Sequence, residues 1–157
     1  MKKYYRLIMV IFAISLTTLL SCKKEEKKTE EPIYESQLAA KIGNENYTAS
    51  FRSGTINGEY ILVTGFTAQS ILSLWITGNA VAGSTITLVE SGIESISWSV
   101  NNTSLYTSES GTINISKHDK TNKIIEGTFN ATLHLFEDED NKIQLTNGIF
   151  KIKYQNQ

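Results

Sequence analysis

Cysteine, proline and histidine are scarce in this chain: one cysteine (Cys22), one proline (Pro32) and two histidines (His118 and His134) in 157 residues. A single cysteine excludes an internal disulfide and a thiolate zinc site, and its place at the end of an apolar run takes a cysteine nucleophile out of the domain beyond it. Two histidines leave few centres for metal binding or acid–base chemistry. No cofactor-binding motif is present, so no cofactor is expected. Helical periodicity is missing as well: after residue 36 apolar side chains never recur at the 3.6-residue spacing for long enough to make a helix. So is excess positive charge. Three of the 15 basic residues, Lys2, Lys3 and Arg6, precede residue 22, which leaves 12 against 16 acidic ones and a net charge of −4. Nucleic acid, which needs clustered Lys and Arg, is therefore not an expected partner. The length suits one domain.

What is present begins with an export address. The three cations precede an apolar run from Leu7 to Leu20, broken only by Ser15, Thr17 and Thr18. At 14 residues the run is shorter than the about 20 a membrane-spanning helix needs. It ends Leu19-Leu20-Ser21-Cys22, which resembles the lipobox read by lipoprotein signal peptidase. The resemblance implies cleavage after Ser21, a diacylglyceryl thioether on Cys22, and acylation of the new amine with a chain such as palmitate. Each buried methylene contributes about 0.8 kcal/mol, and two or three chains anchor durably where one does not. Residues 1–21 thus read as a lipoprotein signal peptide.

Residues 22–36 read as the lipidated cysteine and a charged tether. From Lys23 to Glu31 no apolar side chain is available to repay the entropy of ordering. As a flexible coil the tether would hold the domain roughly 20 Å from the membrane surface. Its lysine-then-acid order resembles the signals with which Bacteroidota place lipoproteins on the outer face of the cell. The expected location is the cell envelope, lipid-anchored at the outer membrane, with the domain facing either the periplasm or the exterior.

Residues 37–157 read as one all-β domain. Short β-branched and aromatic runs alternate with Gly, Asn and Ser, and no proline interrupts them. Asn57-Gly58 predicts a hairpin with a type I′ turn. Leu72, Leu74 and Ile76 share one face, with Ile71 and Trp75 on the other. Ile86 and Leu88 alternate with threonines, and Ile96, Trp98 and Val100 with serines. Ile113 and Ile115 point inward ahead of a turn at His118-Asp119-Lys120-Thr121-Asn122. The following strand buries Phe129, Ala131, Leu133 and Leu135, with Asn130, Thr132 and His134 outward. After an acidic turn at 137–141, Ile143 and Leu145 have the opposite parity to Phe150, Ile152 and Tyr154, so a β-bulge is expected at Asn147-Gly148. Eight to ten such strands predict an antiparallel β-sandwich, immunoglobulin-like or similar, with a small β-barrel as the alternative.

Gly43-Asn44 before Tyr47-Thr48-Ala49, then Ser110-Gly111-Thr112-Ile113-Asn114-Ile115, Glu126-Gly127-Thr128-Phe129 and Thr146-Asn147-Gly148-Ile149-Phe150 resemble a family of uncharacterised Bacteroidota lipoproteins with a single β-sandwich domain. That family often carries Trp where this chain has Tyr47. The resemblance implies a fold and no reaction, so no catalytic residue is carried over.

Among individual side chains, His118-Asp119 is the one adjacent histidine–carboxylate pair, but no Gly-x-Ser-x-Gly elbow accompanies it and it reads as a solvated turn. Glu137, Asp138 and Asp140 are weak Ca²⁺ candidates without the spacing of an EF-hand, and a charged turn that discourages sheet association is the simpler reading. Trp75 is a candidate for stacking on a ligand, against packing at a sandwich edge. Trp98 reads as core. The expected function is a membrane-anchored envelope lipoprotein, a non-enzymatic binding or structural module with a protein or glycan partner. The alternative is a hydrolase or glycan-processing enzyme with loop-borne residues.

Overall fold

The computed structural model describes residues 34–157 apart from Asn102. The expected signal peptide, Cys22 and the expected tether up to residue 33 lie outside the described residues. The strands are β1 (Gln37–Ile42), β2 (Glu45–Thr48), β3 (Phe51–Asn57), β4 (Tyr60–Phe66), β5 (Ser70–Thr77), β6 (Thr85–Val89), β7 (Ser95–Val100), β8 (Ser104–Asp119), β9 (Ile124–Leu135), β10 (Asp138–Lys153) and β11 (Gln155–Asn156). They join in the order β11-β3-β4-β5-β7-β8-β9-β10-β1-β2, with β6 pairing with β8 beyond the stretch that β7 uses.

The sheet folds on itself into two facing layers, as expected of an antiparallel sandwich. Gly65 on β4 lies against Leu38 of β1, and Gly54 on β3 lies against Ile152 and Tyr154. β11, which follows β10 through Tyr154, pairs in parallel with Thr55 and Ile56 of β3. The hydrogen-bonded path thus returns to β3, a trait shared with the barrel alternative. Strict alternation builds the core between the layers: Ile61, Val63, Leu72, Leu74, Ile76, Ile125, Leu133 and Leu145 are fully buried. Each such side chain contributes about 1.5–3 kcal/mol by leaving water.

Four sequence expectations resolve in detail. The hairpin after β3 forms, but Asn57 pairs with Tyr60, so the two-residue turn is Gly58-Glu59. Gly58 has φ +60° and neither Asn57 nor Glu59 is positive, the pattern of a type II′ turn rather than I′. The bulge on β10 is where parity required it: Leu145 pairs with Ala131 and Gly148 with Phe129, and Asn147 has φ +52°. The acidic turn is shorter than expected, because Asp138 already pairs with Leu135 across Phe136 and Glu137. His134 does not look out into solvent. Opposite Thr107 and Lys142 on its two neighbouring strands, it is 9% exposed, and its Nε2 lies 3.2 Å from Thr107 Oγ1.

β9 and β10 carry the same Gly-x-Phe pattern in opposite directions. Gly127 pairs with Phe150 and Gly148 with Phe129, so each glycine lies under the other strand's ring, and the two rings are 6.2 Å apart. A β-carbon at either glycine would enter that ring's space. The motif Glu126-Gly127-Thr128-Phe129 is in this way a packing device.

Both ends of the described chain emerge at one end of the layers. Tyr34 donates a hydrogen bond from its hydroxyl to Glu126 (3.2 Å) and sits under Lys151, while Tyr154, just before β11, donates its backbone N–H to Lys123 O. The β1–β2 turn is at the other end of β1.

Candidate functional site

At that far end the layers part to leave a cavity of about 640 Å³. Ile42 pairs with Glu45 around a two-residue turn, Gly43-Asn44, and Gly43 takes φ +58°. Its N–H donates to Gln144 O (2.7 Å), which docks the turn on β10. From β2 a single side chain, Tyr47, is driven inward, while Glu45, Asn46 and Thr48 are exposed. The opposite wall is the β4–β5 loop, tightened by hydrogen bonds from Thr67 N–H to Ser70 O (2.9 Å) and from Ser70 N–H to Thr67 Oγ1 (3.0 Å). β7 adds Trp98 and Val100, and β10 adds Ile143.

Trp98 is half-buried, tilted against Tyr106 at 5.4 Å. It packs on the core as its alternation implied, and it also lines the cavity. Among the described residues its Nε1 has no hydrogen-bond partner, and neither has the Tyr47 hydroxyl, although both atoms are buried. The Tyr47 hydroxyl lies over Gly65, near the Leu72 main chain but outside hydrogen-bonding geometry. Burial pushes its pKa from 10.0 to about 12, slightly offset by Leu72. Tyr34 and Tyr154 are also raised, by burial first and then by the carboxylates of Glu126 and Asp119 respectively.

A pH dependence follows. An unfolded phenol ionises near pH 10, before the folded one, so the stability contributed by Tyr47 is complete below pH 10 and declines as pH rises towards 12. Urea midpoints measured at pH 9, 10 and 11 should fall more steeply for the wild-type chain than for Tyr47→Phe. Equal slopes would show that this hydroxyl ionises freely in the folded domain.

The residues singled out in the sequence do not gather here. Trp75 is on the outer face of β5, 37% exposed, opposite Leu62 on β4 and Ser95 on β7. Glu137 lies in the turn before β10, and Asp138 and Asp140 lie on the exposed first residues of β10, where Asp138 Oδ1 accepts from the Asp140 N–H. Among the described residues no three His, Cys, Asp or Glu side chains converge as metal ligands. His118 and Asp119 close β8 but act separately. The His118 ring, half-buried, places Nδ1 2.8 Å from Ala80 O and Nε2 3.0 Å from the Tyr154 hydroxyl. A carbonyl can only accept, so Nδ1 carries a proton and donates to Ala80 O, while Nε2 is hydrogen-bonded to the Tyr154 hydroxyl. His118 is thus a strut between the β5–β6 loop and the link from β10 to β11 rather than a solvated turn residue. Asp119 caps the turn, accepting from the Asn122 backbone N–H (2.9 Å) and side-chain amide (2.7 Å). Those bonds hold its carboxyl below the usual carboxylate range.

The cavity itself was missed by sequence reading. Its walls come from separate segments around residues 43–48, 67–70, 98–100 and 143, and the aromatic residues among them look like ordinary core. The one available signal was the polar atom on each of two inward-facing aromatics.

Fold and site together define an all-β sandwich domain with a small-molecule-sized cavity at one end. The chain belongs to the family described as Domain of unknown function (DUF6252), whose model matches residues 35–152. No curated protein and no solved structure matches it.

Proposed function

We propose that this protein is a Bacteroidota lipoprotein, a non-enzymatic binding module of the cell envelope held at the outer membrane through acyl chains on Cys22, with its ligand site in the cavity at the β1–β2 end. The cavity carries this reading. Its volume of about 640 Å³ lies within the about 300–1,000 Å³ usual for small-molecule sites, and it combines an apolar wall with convergent polar groups. The charged, apolar and Leu19-Leu20-Ser21-Cys22 segments support the anchor. Glycoside hydrolysis generally requires two carboxyl groups flanking the bond. Glu45 is the one carboxylate among the described residues lining this cavity, which favours binding over the glycan-processing alternative.

Fractionation of expressing cells tests the anchor. The wild-type protein should sediment with membranes and Cys22→Ser should move almost wholly to the soluble fraction. A Cys22→Ser protein that sediments as before overturns the placement. Protease treatment of intact cells should digest the domain if it faces the exterior and spare it if it faces the periplasm.

A further inference from the structure

Two buried donors without partners among the described residues, Trp98 Nε1–H and Tyr47 Oη–H, belong to side chains that line one cavity. Leaving such a group unpaired in the interior is costly, and native proteins contain few. An indole N–H can only donate, and a phenol held protonated by burial keeps its donor at neutral pH. The indole therefore lacks an acceptor, the phenol can donate or accept, and an oxygen-bearing ligand is the natural partner for both.

Charge narrows the class. Among the described residues no Lys, Arg or His lines the cavity, and Glu45 does. An anion would enter without a counter-charge and beside a carboxylate, at a desolvation cost nothing here offsets. A metal cation would find a single carboxylate where it needs several hard oxygen ligands. What remains is a neutral molecule with many oxygens. Ile42, Val100, Ile143 and the Trp98 ring give it an apolar wall, and Asn46, Thr67 and Gln69 give it amides and a hydroxyl. A pyranose presents a C–H face and a hydroxyl edge to match the two.

We infer that the cavity binds a neutral saccharide of roughly one or two rings, its C–H face against the apolar wall and its oxygens accepting from Trp98 Nε1 and Tyr47 Oη, with Glu45 rejecting acidic sugars. This rests on the cavity being a ligand site at all. Both donors are covered by neighbouring atoms, so the ligand engages them as the turns at 43–46 and 67–70 yield slightly.

The test uses the full acylated chain in a detergent without a sugar headgroup. Trp75→Phe leaves Trp98 as the single tryptophan, because the chain has two. Its fluorescence is followed against glucose, N-acetylglucosamine, maltose and cellobiose, against glucuronate and glucose 6-phosphate, and against a set of small non-carbohydrate fragments. A saturable change with a neutral sugar and none with the acidic ones is expected. Glu45→Gln should then admit glucuronate. By calorimetry Trp98→Phe should weaken binding about tenfold, the effect of one lost hydrogen bond. Tyr47→Phe should weaken it several-fold with an unchanged or higher melting temperature, a split that a purely structural hydroxyl would not give. If fragments bind and no neutral sugar does, the sugar assignment fails and the ligand site survives. If neither changes Trp98, both fail. A Tyr47→Phe protein that melts lower has lost a structural bond, which overturns the unpaired-donor argument.

Discussion

Gly111→Ala should be among the most destabilising single substitutions in the domain, costing about 4 kcal/mol and lowering the melting temperature by roughly 15 °C. Gly111 has φ +145°, outside what a residue with a β-carbon readily adopts, and it pairs directly with Ala131 on β9. A methyl group there would run into Asn130 O and Ala131 Cα. These are main-chain atoms in the middle of the β8–β9 ladder, so no flexible side chain can move aside. Gly58→Ala is the control. It has φ +60° as well, but open space around it, so only the backbone term applies, about 1–2 kcal/mol. Thermal melts by circular dichroism separate the two, and equal melting temperatures would show that β8 can slide to accommodate the methyl.

Phe129→Ala and Phe150→Ala should each cost about 3–5 kcal/mol, the range for deleting a buried aromatic ring. Both rings are 2% exposed, and each also covers the glycine opposite, so either deletion opens a gap on the facing strand. A domain of this size has about 5–15 kcal/mol in total, which makes either loss a large fraction of it. Because the rings touch at 6.2 Å, the double variant should lose less than the sum of the two, by about 1 kcal/mol or more. Additive urea midpoints would mean that the rings pack on the rest of the core and not on each other. Adding Gly127→Ala to Phe150→Ala is expected to recover little, since the new methyl would still meet Asn114 O from β8.

The two-residue rhythm of β4, β5, β7 and β9 made the sheet and its inner face legible, and parity alone placed the bulge near Gly148. Parity could not tell which outward side chains would be covered. His134 is flanked by Thr107 and Lys142 across its two neighbouring strands, and that pairing is a tertiary fact. The hairpin after β3 was legible as a hairpin, but its register depends on which residue takes the first positive φ, and Gly58 outcompeted the Asn57-Gly58 pair for that position. Gly148, legible as a bulge site, and Gly127, legible only as part of a motif, are also the floors beneath two rings. The cavity was the least legible feature. Sequence spacing says which side of a strand a residue faces and nothing about which turns meet at the end of a sandwich, so Trp98 could be placed inside without being placed beside Tyr47.

The shared exit of the two ends of the described residues, with Tyr34 beside Glu126 and β11 beside Thr55-Ile56, has a practical meaning. β1 alone spans six residues between that exit and the Gly43 turn, about 20 Å of strand. A purification tag, fluorescent fusion or sensor-chip linkage attached at the C-terminus would grip the domain by its back and leave the mouth of the cavity clear, whereas a dye on Asn44 or Gln69 would report directly on what enters it.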